Sequence, residues 1–481
     1  MHNISPNEIA AIVDSVIQEI TAKGNIAADP ATRSSASISD GVFPSIDEAV
    51  KAARVAWYQL NELGLRKRIE IVETIRQVLR QNAAELAEMA VKESALGRAA
   101  DKKIKNLLVI NKTPGPELMA AHAFSGDDGL VLIERASWGV IGSITPTTNP
   151  SETIINNGIG FISAGNTGVF NAHPRAKNTS AHTIRLINKA CQAAGGPPNI
   201  LTCIGVPTLE SAGQLMKHPG INLLVVTGGP AVVKAAFASG KKVVCGGPGN
   251  PPVVVDESAK IEKAGRDIVK GHSFDNNIIC TDEKEVIVVE TVADRLIEVM
   301  KSSGAYMINK NQIDRLTSIV LKDLGSPKYG CGGHANPDYV GKDARLLLKE
   351  IGINVNEDVR TILCEVPNEH PLIWSEQLMP ILPVTRVPNV DAAIDLAIQC
   401  EHGYNHTASM HSMNLEKLSK MARTFQGSIF VKNGPNYSGL GEGGSGYTSF
   451  TIASPTGDGL TTCLTFSRER RCVLVDHFRI V

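Results

Sequence analysis

Apolar residues change their period several times along this chain of 481 residues, and each change predicts an element. Ile9, Ile12, Val13, Val16, Ile17 and Ile20 recur three and four apart and draw one apolar stripe down a helix over residues 1–20. Ser5, Pro6 and Glu8 stand where an N-cap, a first-turn proline and a capping-box carboxylate belong. Residues 21–40 are small and polar and read as a flexible linker. From 45 to 97 the period is helical again, in "IDEAVKAARVAWYQL" and "RKRIEIVETIRQVLRQNAAELAEMAVKES". Short continuous apolar runs then predict strands at 139–144, 167–172, 222–228, 242–246, 251–256 and 285–290, with helical stretches such as "TSAHTIRLINKACQAAG" between several of them. That alternation predicts an α/β protein built on doubly wound parallel sheets.

Length adds room for two or three domains. The charge balance, 48 basic against 49 acidic residues, gives no reason to expect nucleic acid or an anionic membrane as partner. No apolar run reaches the roughly 18–20 residues a membrane helix needs. The nine cysteines are odd in number and irregularly spread, with no CxxC or Cys/His cluster of zinc spacing, so the reading is a reducing compartment and no metal. The first helix lacks the basic lead of a secretory signal, and Glu8, Asp14 and Glu19 are too acidic for a mitochondrial presequence. It either docks on its own domain or binds a groove on another protein.

Three stretches can carry chemistry. "LLVVTGGPAVVKAAF" is a strand, a turn at Thr227, Gly228 and Gly229, and a helix. Its backbone could approach a pyrophosphate, although it lacks the GxGxxG fingerprint and is also an ordinary tight turn. "GVIGSITPTTNPSET" runs a strand into a Thr/Pro/Asn loop whose amides could stabilise an oxyanion, or which is a plain proline-rich turn. In "SFDNNIICTDEKEVIV", Cys280 follows an Asp-Asn-Asn cluster and precedes a strand, at a boundary where a thiol can face a cleft; a buried structural thiol is the alternative.

Taken in order, "GxIxxxxPxxNP", "GNTxxFxxHPRA", "VVTGGP", "VCGGPGNPPVVVD", "SFDNNIICTDEKEVIV", "SEQLMPILPV" and "HGYNHTASMHS" resemble the aldehyde dehydrogenase superfamily, in its CoA-acylating branch, over residues 40–481. The resemblance implies two doubly wound domains and a small β arm: 41–245 for the cofactor, 246–435 for the catalytic cysteine, and 436–481 returning to pair with a hairpin at 118–137. It places the nucleophile at Cys280 and the oxyanion donor at Asn149, with Thr148 open because the loop is offset by one from the hydrolytic pattern. Thr145, Pro146, Thr147, Thr227, Gly228, Gly229, Gly246, Glu376 and Leu378 are implied around a nicotinamide cofactor, and His173, Pro174 and Arg175 at its adenosine end. Ala176 replaces the acidic residue that repels a 2′-phosphate, so NAD is expected with NADP open. Hydrolytic members carry a water-activating Glu where Val244 stands, which makes coenzyme A the expected acyl acceptor.

The first helix resembles the tags by which members of this branch enter bacterial microcompartments. A shell protein is therefore an expected partner, in a lumen within the bacterial cytoplasm. The implied substrate is a short aldehyde, propionaldehyde ahead of acetaldehyde, and the implied assembly a homodimer or homotetramer. Two readings compete: a non-redox cysteine hydrolase or acyltransferase, and a catalytically silent scaffold. His406 reads as a satisfied structural histidine, and the glycine-rich 438–450 as a mobile loop or a linker.

Overall fold

The computed structural model describes residues 40–326 and 332–481. The expected helix over 1–20 and nearly all of the linker fall outside them.

Two parallel sheets organise the chain. The first has the order β1 (Val42–Phe43), β6 (Leu201–Ile204), β5 (Thr167–Ala172), β4 (Val140–Thr145), β7 (Leu223–Thr227) and β8 (Lys242–Gly246). The second has the order β11 (Ala305–Ile308), β14 (Thr361–Glu365), β15 (Ile381–Val387), β10 (Glu285–Val289), β9 (Pro252–Val255), β16 (Thr407–His411) and β17 (Ile429–Lys432). Every residue of β4, β5, β9 and β10 is buried, which is why these strands appear in the sequence as unbroken apolar runs. Alternation survives within the runs and sorts residues into layers. Ile141, Leu223 and Val225 join one core, while Val140, Leu224 and Val226 join the core on the opposite face. In the second sheet Val253, Val286 and Val288 face one layer and Val254, Ile287 and Val289 the other.

A third sheet is antiparallel, with the order β2 (His122–Gly126), β3 (Gly129–Ser137) and β20 (Ser467–Val475). It pairs the β2–β3 hairpin with the C-terminal strand β20 along Ser467–Val475. Two short ribbons, β12 (Leu321–Asp323) with β13 (His334–Ala335) and β18 (Ile452–Ala453) with β19 (Gly459–Leu460), complete the strands. The helical stretch expected from 45 to 97 is two helices, Ile46–Asn61 and Leu65–Ser94, because Gly64 serves as the second N-cap. No helix among the described residues is long and apolar enough to cross a membrane.

β8 ends at Gly246 and the chain reaches β9 at Pro252, so the C-terminal edge of the first sheet is joined by one short loop to the N-terminal edge of the second. Ligand-binding loops gather at such carboxyl edges of parallel sheets. The helix Pro150–Ser163, buried along its whole length, leaves that edge directly after Asn149. A Cβ on Gly160 in this helix would stand 2.8 Å from the ring of Phe466. Gly160→Ala should therefore overpack the contact and cost about 1–3 kcal/mol, read as a lower midpoint in urea unfolding.

Candidate active site

Cys280 sits at the N-terminal edge of the second sheet, on the loop leading into β10. Asp275, Asn276 and Asn277, just before it, all have positive φ (48°, 54° and 65°). Asp and Asn tolerate that left-handed backbone better than other side chains, which explains the polar cluster at this point of the sequence. Each side chain is then used to hold the loop. Asp275 accepts from the Arg98 N–H at 2.7 Å, Asn276 donates to the Gly341 carbonyl at 3.0 Å, and Asn277 donates to the Glu283 carbonyl at 3.0 Å.

Lys284, fully buried, clamps the turn from beneath. Its ammonium donates to the carbonyl and side-chain oxygens of Asn277 at 3.2 and 2.8 Å and to the Ile279 carbonyl at 3.0 Å. Burial pushes the Cys280 thiol up to about 12, the Glu376 carboxylate adds to the rise, and Lys284 opposes it. Burial also raises the Glu376 carboxyl to about 7, against the pull of Lys284 and a 3.2 Å hydrogen bond from the Gly249 N–H. Burial thus favours the neutral thiol of Cys280, and the Lys284 and Glu376 charges modulate its ionisation in opposite directions.

Asn149 caps the helix Pro150–Ser163 at the opposite edge and is buried. Its side-chain oxygen accepts from Lys105 at 2.5 Å. An ammonium can only donate, so the amide NH2 must point away from it; one N–H reaches the Thr148 hydroxyl at 3.3 Å and the other is free to serve a ligand. Lys102 donates to the Thr148 carbonyl at 2.8 Å and pairs with Asp275 at 3.0 Å. Lys105 also pairs with Asp275, and with Glu152 at 3.4 Å. These two lysines, on the helix Ala99–Lys112, are fully buried.

The residues implied for a cofactor lie at the carboxyl ends of neighbouring strands. Thr145 ends β4 with Pro146 and Thr147 after it, His173 to Arg175 follow β5, Thr227 ends β7 with Gly228 and Gly229 after it, and Gly246 ends β8. The hydroxyls of Thr145, Thr147 and Thr227 are buried without a partner within the protein. Three orphaned donors at one sheet edge fit a polar ligand such as a dinucleotide. A Cβ on Gly246 would stand 3.2 Å from the Ile452 carbonyl, so the residue is fixed by packing. Arg175 donates to the Ser94 carbonyl at 2.8 Å, which anchors it beside His173. Glu376 and Leu378 lie across at the second sheet, on the loop before β15, with Leu378 at a φ of 52°.

Residues 25–320 match the model of the aldehyde dehydrogenase family. The acetylating acetaldehyde dehydrogenase EutE of Salmonella typhimurium is 48% identical over 442 residues, 92% of this chain and 94% of that one. The chain belongs to the aldehyde dehydrogenase family. Among solved structures, Rhodopseudomonas palustris propionaldehyde dehydrogenase, with CoA bound and its cysteine acylated, is 49% identical with a TM-score of 0.88, covering 91% of this chain and 99% of that one. The propionaldehyde dehydrogenase of a Clostridium phytofermentans fucose-utilisation bacterial microcompartment is 45% identical with a TM-score of 0.88, covering 92% and 100%.

Several groups of this aldehyde dehydrogenase site were not singled out from its sequence: Lys102, Lys105, Glu152, Asp275 and Lys284. One signal was present. On the helix Ala99–Lys112, Lys102, Lys105, Asn106 and Val109 share a face and are buried while Ile104 is exposed, so lysines occupy the core stripe. Buried ammoniums require carboxylate partners, and that requirement points at Asp275 and Glu152. His406 departs from the expected satisfied histidine: Nδ1 meets the Thr407 hydroxyl at 2.8 Å, but Nε2 is buried without a partner. It packs close to the Cys280 loop, since a Cβ on Gly249 would lie 2.8 Å from the Cys280 carbonyl and 2.9 Å from the His406 ring. The glycine-rich 438–450 stretch is tied down by Lys112, which donates to the carbonyls of Gly441 and Gly444.

Two substitutions should move the Cys280 thiol in opposite directions. Burial lowers the Lys284 pKa, so Lys284→Met removes the cation that lowers the thiol only where that ammonium is protonated, and alkylation by iodoacetamide should slow most at the acid end of the profile. Glu376→Gln removes an anion only where that carboxyl is ionised, above its pKa of about 7. Alkylation should therefore quicken at about pH 8–9 and stay unchanged at about pH 6. Rates of iodoacetamide labelling against pH check both.

Proposed function

We propose that this chain is a CoA-acylating aldehyde dehydrogenase, oxidising a short aldehyde with a nicotinamide dinucleotide and passing the acyl group from Cys280 to coenzyme A. The observation that carries the reading is the placement of Cys280. Of the described cysteines, six are buried in the core and Cys472 is exposed on the arm, while Cys280 alone is partly exposed, on a loop held from every side. A family relative with CoA and an acylated cysteine on the same fold supports it.

The Cys280 thiol gives up its proton to solvent, its sulfur adds to the aldehyde carbon, and the new oxyanion takes hydrogen bonds from the free N–H of Asn149 and the N–H of Cys280. A nicotinamide bound at the Thr-lined edge supplies a hydride acceptor. Cys280 then holds a thioester. Val244, where hydrolytic members carry a base, is fully buried in the core of the first sheet. Glu376 has one oxygen engaged by Gly249. The thioester therefore waits for a thiolate, and coenzyme A leaves carrying the acyl group while the Cys280 sulfur is restored.

Propionaldehyde is the first substrate of this reading. Acetaldehyde is the second, favoured by the 48% identity to the acetylating enzyme. NAD is the cofactor, with NADP tolerated through the missing acid at Ala176. The apolar stripe over 1–20 and the relative from a microcompartment support docking on a shell protein. Exposed Phe124, Val473 and Val475 on the β2–β3–β20 arm support assembly into a homodimer or homotetramer.

Mixing the enzyme with propanal and NAD+ without CoA should release a burst of about one NADH per Cys280, with turnover only once CoA is added. Steady turnover without CoA would mean that water deacylates the enzyme and that the argument from Val244 is wrong. The ratio of kcat/KM for propanal and acetaldehyde then decides between the substrates.

A further inference from the structure

The helix Ala99–Lys112 touches both halves of the site through two side chains three residues apart. From Lys105, one ammonium reaches the Asn149 side-chain oxygen, Asp275 and Glu152. Lys102 reaches the Thr148 carbonyl and Asp275. Asp275 lies on the left-handed run that leads to Cys280, whereas Asn149 and Thr148 lie on the loop after β4. Lys102, Asp275, Lys105 and Glu152, all buried, form an unbroken chain of ion pairs between these loops. The two carboxylates hold Lys105 in its charged form against burial.

We propose that Lys105, backed by Lys102, is a positioning residue for the thioester chemistry: it locks the loop of Asn149 to the loop of Cys280 and turns the Asn149 amide so that its N–H, not the Thr148 hydroxyl, meets the oxyanion. This rests on the reading of Cys280 and Asn149 given above. The physical basis is one-sided. Lysine has no acceptor, so it orients the amide uniquely, and it needs no contact with substrate to do so. Without it the amide is free to flip its oxygen toward the site, where a lone pair would repel the developing anion.

The test compares the pre-steady-state NADH burst rate of the wild type, Lys105→Met, Asn149→Ala, Thr148→Val and the Lys105→Met/Asn149→Ala double variant, with propanal and NAD+. Each variant's Cys280 is also titrated with iodoacetamide, a reaction that forms no oxyanion. Loss of an oxyanion donor slows such a step by about 10²–10³-fold. Asn149→Ala and Lys105→Met should each slow the burst by about 10²-fold while Cys280 still alkylates at close to the wild-type rate, and the double variant should be no slower than Asn149→Ala alone. Thr148→Val should change the burst less than about threefold, on the same scale.

Multiplied losses in the double variant, or an unimpaired burst in Lys105→Met, would overturn the positioning role, as would a Thr148→Val loss exceeding that of Asn149→Ala. If Lys105→Met misfolds, shown by lost alkylation and a collapsed Tm, Lys105→Met/Glu152→Leu removes one buried charge of each sign and takes its place, with the same expectation. A wild type that alkylates at Cys280 yet gives no burst sinks the underlying reading and this inference with it.

Discussion

The structure depends on the burial of charge at the junction of two sheets. Lys102, Lys105, Asp275 and Glu152 are all fully buried, and each is tolerated there only because the others are present. Breaking a buried pair by removing one member costs about 3–5 kcal/mol, because the remaining charge has no solvent to turn to. Apolar packing fixes distances but not the direction of a polar group, whereas a chain of ion pairs running Lys102, Asp275, Lys105, Glu152 fixes both. The quartet therefore gives the junction a precision that the apolar layers on either side cannot supply. Asp275 contributes twice, since its backbone stands in the left-handed region and its side chain anchors both lysines and the Arg98 N–H. Even Gly97 bears on it, because a Cβ there would lie 2.1 Å from the Asp275 carboxylate.

The fold was legible because its strands are buried on both faces. "TGVFNA" and "KVVCG" are β5 and β8 residue for residue, and "EVIVVE" overruns β10 by one. Such runs carry their own boundaries where Gly, Pro and Asn end them. The hairpin and last strand of the arm were legible only through family likeness, because an exposed antiparallel sheet lacks a continuous apolar signal.

The site was legible where its chemistry is local and obscure where it is not. Cys280 stands in a sequence that announces its backbone, since three Asp/Asn residues in succession are what a left-handed run selects. Lys284 is four residues further on, yet nothing in "DEKE" distinguishes a buried clamp from a solvated charge run; burial is decided by β9 and β15 packing on either side of β10. Lys105 and Asp275 are 170 positions apart in the chain, and only the topology makes them partners. The exposed Ile104 beside the buried Lys105 was the one local clue, a helix whose amphipathic pattern is reversed at the position where it meets the site.

The same burial that makes the clamp rigid also sets what the site does with a thioester. Around Cys280 burial pushes the carboxyl groups toward their neutral forms, Asp282 well above the ordinary range, Glu283 to about 8 and Glu376 to about 7, so that below about pH 7 all three are mostly protonated. A protonated carboxyl does not draw a proton from water, and water without a base attacks a thioester slowly. A thiol ionises far more readily than water, so its thiolate is available at a pH where hydroxide is scarce. On the proposed reading, selectivity for coenzyme A over water then requires no special recognition of the incoming sulfur. Below the Glu376 pKa of about 7 it follows from withholding a base from a site whose own charges are already spent holding its two loops together.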